Sequence, residues 1–145
     1  MPSADTSADA GWTILFLAWL LALTSSLGSL FFSEIMGFPP CVLCWYQRIF
    51  LFPLVFVFTT GLFSRDRSVV RYSLPLAAAG WLVALYHNLL SYGVIPESIR
   101  PCSQGVSCTE KYIDLFGFLT IPMLSFLAFT SILALLLILN RRFSR

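Results

Sequence analysis

Two cysteines separated by two residues, Cys41 and Cys44, follow Pro39-Pro40 and lead into Trp45-Tyr46-Gln47-Arg48. A Cys-x-x-Cys pair can close a small disulfide, react as a thiolate or bind a soft metal. A second pair, Cys102 and Cys108, has five residues between its members. Arg48 lies four residues after Cys44, so a helix starting at the pair puts both on one face. The unpaired N–H groups and dipole of a helix start would favour a thiolate at Cys44. Arg48 would then support a nearby anion, either that thiolate or the oxygen of a bound electron acceptor. The competing reading is a guanidinium that snorkels to the membrane interface. Gln47 offers a neutral hydrogen bond. His87, the only histidine, could hydrogen-bond or protonate an acceptor, or could be a packing residue bonded to a backbone carbonyl.

The elements that must position these residues are apolar. The 145-residue chain is 58% hydrophobic and 11% charged, against roughly 25% charged in soluble domains. So few charges could not cover a water-facing surface, and lipid is the solvent for most of the chain. A net charge of +2, with no basic patch interleaved with aromatics, argues against nucleic acid. One domain fits the length. Apolar runs predict four membrane helices, at about 12–32, 44–63, 72–92 and 115–139, each near the roughly 20 residues needed to cross a bilayer. The fold class is therefore all-α, a four-transmembrane-helix bundle. Residues 1–11 are small and polar and read as a disordered tail. They lack the positive region of a signal peptide. Pro53 and Pro75 fall inside runs two and three, where neighbouring helices can absorb a kink. His87 sits about five residues before the outer end of run three, roughly 7.5 Å deep at 1.5 Å per residue. Asn88 faces elsewhere, since adjacent helical residues do not share a face.

Four spans put both termini on one side. Arg65, Arg67 and Arg71 follow span two and Arg141, Arg142 and Arg145 follow span four, against Arg48, Arg100 and Lys111 at the other ends. The positive-inside rule then places the termini in the cytoplasm and both cysteine-bearing loops outside it. Disulfides persist there. Four cysteines allow three pairings, of which the local ones close very short loops. Such loops stabilise a fold little, which favours redox centres over staples. A zinc site made of all four cysteines is disfavoured by the wide second spacing, and no resident metal is assigned.

The run Cys41-Val42-Leu43-Cys44-Trp45-Tyr46-Gln47-Arg48 resembles the hallmark of the DsbB family of disulfide-bond-forming membrane proteins, and within it the BdbC-type branch. Leu27-Gly28-Ser29-Leu30-Phe31-Phe32-Ser33-Glu34, Pro101-Cys102 through Cys108, Tyr112-Ile113 and Phe116-Gly117-Phe118-Leu119-Thr120-Ile121-Pro122 extend the likeness along nearly the whole chain beyond its first ten residues. The five-residue spacing of the second pair is shorter than in longer-loop members. The resemblance implies a thiol:quinone oxidoreductase of the bacterial inner membrane. It would re-oxidise a thioredoxin-like partner of the DsbA or BdbD type and pass electrons to ubiquinone or menaquinone. By the same resemblance, Cys102 is attacked by the partner and Cys108 is its pair mate. Cys41 receives the attack from the outer loop, Cys44 faces quinone, and Arg48 and His87 assist quinone binding. A membrane scaffold or chaperone with two structural disulfides is the alternative.

Overall fold

A computed structural model of the chain describes residues 3–96, Ile99, Cys108 and 120–144, with side chains from Asp9 onward. Among the described residues there are four α-helices and no strand: α1 (Ser3–Leu30), α2 (Val42–Ser64), α3 (Ser68–Ser91) and α4 (Ile121–Ser144). The segments Asp9–Ile35, Val42–Ser64, Ser68–Ser91 and Ile121–Ser144 are each long and apolar enough to cross a membrane. This is the expected all-helical, membrane-spanning class. Each helix packs on its neighbours in sequence, and α4 closes the ring against α1.

The helix ends differ from the apolar boundaries, for local reasons. α1 begins at Ser3, inside the stretch expected to be a disordered tail, because its alanines and polar residues do not oppose a helix that the apolar run propagates backward. At its other end it passes into a π-helical turn, Phe31–Ile35. Gly37, at φ 69°, then supplies the left-handed backbone that turns the chain away. α2 starts at Val42 with Cys41 as its cap, two residues before the expected start. The connection to α3 shrinks to residues 65–67. Arg65 takes the left-handed conformation at φ 50°, a common way to end a helix, and Asp66 Oδ1 accepts the Ser68 N–H at 2.8 Å. α4 carries Pro122 in its first turn, where its missing N–H costs nothing, and runs on through Arg141 and Arg142, which complement the dipole at that end. Residues 115–119 of the expected fourth span lie outside the described residues.

Small side chains let the helices close. Ala77, Gly80 and Ala84 share one face of α3, and a Cβ added to Gly80 would fall on the ring of Phe129 in α4. With no hydrophobic gain for one helix meeting another in lipid, such close packing and polar ties carry the association. Trp19 Nε1 donates to Thr59 Oγ1 at 2.8 Å, joining α1 to α2. Trp81 Nε1 donates to Thr130 Oγ1 at 2.9 Å, joining α3 to α4. Asn88 Nδ2 donates to the carbonyls of Ala84 and Pro122, both at 2.8 Å. Asn88 thus turns away from the neighbouring His87, as expected, and fastens α3 to the first turn of α4.

Candidate functional site

The site is built where α2 begins. Cys41 is the helix cap, in extended backbone, and its Sγ accepts the Cys44 N–H at 3.4 Å. This satisfies one of the N–H groups that a helix start leaves unpaired. Cys41 and Cys44 are free thiols with their sulfurs 2.9 Å apart. Of the two sulfurs, the one that collects hydrogen bonds is that of Cys41, from the Cys44 N–H, the Cys44 thiol and the His87 ring. The pKa of Cys41 is drawn down to about 4, first by the hydrogen bond from the Cys44 thiol, against the opposing effect of burial, and then by His87 and the Cys44 N–H.

α3 contributes His87, 2% exposed. Its Nε2 lies 3.3 Å from the Cys108 carbonyl and 3.9 Å from Cys41 Sγ. A carbonyl can only accept, so Nε2 carries the ring proton, and Nδ1 accepts from the Gln47 amide at 3.1 Å. His87 therefore bonds a backbone carbonyl, as one of its two readings has it, and it also reaches the cysteine pair. Gln47, 5% exposed, emerges as the residue that sets its tautomer. Residue types alone could not have paired them, because the relative rotation of α2 and α3 is a property of the packed bundle.

Arg48 is 6% exposed and does not snorkel. Its Nε donates to Ser29 Oγ at 2.8 Å and its Nη2 to the Ser29 carbonyl at 2.7 Å. Its guanidinium carbon lies 5.2 Å from the centroid of Trp45, within cation–π range. A buried charge in lipid must find such partners. Ser29 had no recognisable role in the sequence beyond its place in a family motif.

Cys108 is held in a disulfide. It is 4% exposed and shares a buried cluster with Cys41, Leu43 and Leu90. Cys108 therefore meets the head of α2. Cys102 lies outside the described residues.

A cavity of about 410 Å³ opens beside these groups. Ser29, Cys41, Cys44, Arg48 and His87 line it, and Phe129 also lies on its wall. Its size, its apolar walls and its few converging polar groups are those of a small-molecule site. A planar quinone ring fits this donor set: the Arg48 N–H groups not bonded to Ser29 are hydrogen-bond donors, and a quinone oxygen is an acceptor. Cys41, Cys44 and His87 also bring three soft or borderline ligand atoms within 4.8 Å of one another.

Comparison with known proteins agrees with this chemistry. Residues 11–139 match the family described as disulfide bond formation protein DsbB. A probable disulfide formation protein of Metapseudomonas resinovorans is 46% identical over 132 residues, covering 90% of this chain and 92% of the relative. Disulfide bond formation protein C of Bacillus subtilis is 43% identical over 126 residues, covering 87% and 91%. Probable disulfide formation protein C 2 of Bacillus cereus is 44% identical over 126 residues, covering 87% and 90%. No solved structure matches the chain. A four-helix membrane chain with a free thiol pair capping its second helix, matched over nearly its full length by these proteins, belongs to the DsbB family of disulfide bond formation proteins.

Proposed function

We propose that the chain is a membrane thiol:quinone oxidoreductase that re-oxidises a thioredoxin-like thiol oxidase outside the cytoplasm. The observation that carries this reading is a junction: the Cys41–Cys44 thiols share a buried cluster with the disulfide-bonded Cys108 and border the cavity that holds Arg48. One side of the pair faces a disulfide and the other faces a site shaped for a small acceptor.

The roles follow the chemistry of thiol–disulfide exchange, in which a thiolate attacks a disulfide sulfur. The partner's thiolate attacks Cys102, opening its bond to Cys108. The freed Cys108 thiolate attacks the Cys41–Cys44 disulfide at Cys41 and releases Cys44. The partner's second thiolate resolves the bond to Cys102, leaving the partner oxidised. The freed Cys102 attacks Cys108, which closes the outer disulfide and releases Cys41, so that the inner pair is a dithiol. Re-closing the inner disulfide then releases two electrons and two protons. A bound quinone supplies the acceptor for that pair of electrons and protons. Cys44 and Arg48 would hold it, Arg48 supporting negative charge on its oxygen, and His87 carries a proton at Nε2 beside Cys41. The partner is of the DsbA or BdbD type, the quinone is ubiquinone or menaquinone, and the loops bearing the cysteines lie outside the cytoplasm with both termini inside. A scaffold braced by two structural disulfides is the weaker reading, because the inner pair borders a cavity with Arg48 and His87 on its wall.

The test is quinone consumption by the purified protein supplied with reduced partner and a soluble quinone. Turnover is expected, and Cys44→Ser is expected to abolish it. Unchanged turnover in that variant would sink the proposal.

A further inference from the structure

The ligand atoms gathered at the head of α2 have a second use. Cys41 Sγ, Cys44 Sγ and the His87 ring all lie within 4.8 Å of one another, and the cavity reaches all three residues. We propose that the reduced Cys41–Cys44 pair and His87 form a redox-gated binding site for a borderline-soft divalent cation of the zinc class, which holds the inner pair in its dithiol state.

The geometry is close to what such an ion needs. Zinc takes thiolate sulfur at about 2.3 Å and imidazole nitrogen at about 2.0 Å in a tetrahedron, which sets the sulfurs about 3.8 Å apart and each sulfur about 3.5 Å from the nitrogen. Here the sulfurs are 2.9 Å apart and Cys41 Sγ is 3.9 Å from Nε2. Side-chain rotation of under about 1 Å at the sulfurs closes the difference. The fourth position falls to a water or other small ligand from the cavity, the open arrangement of a three-ligand zinc site.

The surroundings suit the charge and the tautomer. Two thiolates cancel a divalent cation, so the filled site carries no net charge beside Arg48. Cys41 enters as the thiolate that the Cys44 thiol already supports, and the Cys44 proton leaves as the ion enters. Nε2 must also give up its proton, which moves to Nδ1, and Gln47 can turn its amide so that the oxygen accepts the new Nδ1–H. An amide is able to serve either tautomer, and a partner on the far ring nitrogen is the usual support of a metal-bound histidine.

Gating follows from the ligands. Closing Cys41 to Cys44 removes both thiolates, so the oxidised chain has no site. The ion would capture the chain after the inner pair has gained electrons and before it has passed them on. This consequence for turnover rests on the proposed function, but the site itself does not.

The experiment uses full-length protein in detergent with cobalt(II) as the probe. Reduced protein is expected to bind one Co2+ per chain with the visible bands of a tetrahedral site and a thiolate-to-cobalt charge-transfer band, both removed by Zn2+. Protein whose inner pair has been closed should show neither. The Cys102→Ser/Cys108→Ser double variant should retain both bands, and His87→Ala should weaken binding by at least about tenfold. Absence of the bands in reduced protein, their persistence after oxidation, their loss in the double variant or an unchanged affinity in His87→Ala would each overturn the proposal. The comparison of reduced with oxidised protein uses the unaltered chain, so it decides even if His87→Ala fails to fold. Neither quinone nor partner enters the measurement, so its outcome is independent of the oxidoreductase reading.

Discussion

Arg48 is joined to Ser29 twice, through Nε to the hydroxyl at 2.8 Å and through Nη2 to the carbonyl at 2.7 Å. The two bonds cross from α2 to α1 and fix the plane of the guanidinium at the cavity wall. A hydrogen bond to a charged group is worth about 1.5–3 kcal/mol.

Ser29→Ala removes the hydroxyl and leaves the carbonyl contact. Loss at the low end of that range predicts a rise of about tenfold in the apparent KM for a soluble quinone. Ser29→Thr should restore most of it. Steady-state kinetics on the purified variants check this, and an unaltered KM in Ser29→Ala would show that the carbonyl alone holds the fork.

The proposed relay also predicts which intermediate can be caught. With a partner whose second active-site cysteine is serine, attack on the Cys102–Cys108 disulfide leaves a mixed disulfide at Cys102 that the partner cannot resolve. It should accumulate as a partner-linked band on non-reducing gels and vanish when Cys102→Ser is added. A band that survives the second substitution would move the point of attack elsewhere.

Asn88 bonds two carbonyls, one on each of α3 and α4. Asn88→Ala leaves the Pro122 carbonyl without that donor in a buried setting, at a cost of about 1–3 kcal/mol. The thermal unfolding midpoint should fall, while turnover well below that midpoint persists. An unshifted midpoint would mean that the tie contributes nothing to the α3–α4 contact.

The proposed orientation can be read with an impermeant thiol reagent on intact cells, in a background where all four native cysteines are serine. Met36→Cys, at an exposed position beyond α1, should label from outside. Asp66→Cys, in the exposed connection between α2 and α3, should label only after the membrane is opened. The reverse pattern would invert the topology.

Much of this was legible in the residues because lipid imposes a simple code. Every span must be apolar and long enough, so the four helices follow from composition, and Pro53 and Pro75 did not obscure them. Their ends were harder. Ser3 and Ser68 start helices ahead of the apolar runs because capping and propagation, rather than hydropathy, decide where a helix begins. The thiols and Arg48 stood out by type and spacing along one helix. Ser29 and Gln47 did not, since their roles depend on which face each helix turns to the next. A buried arginine does signal that an oxygen acceptor must lie across from it, but the register between α1 and α2 comes only from the packed bundle. The meeting of Cys108 with Cys41 is likewise a long-range contact that neither residue's type announces.

Phe129 has two neighbours of different kinds. One edge of its ring occupies the notch left by Gly80, and the same residue lies on the wall of the cavity. The room available to a bound molecule is therefore coupled to the spacing of α3 and α4. A single methyl at Gly80 would fall on that ring, so the ring would have to shift. Selectivity among acceptors of different bulk can thus be tuned from a backbone position that carries no side chain.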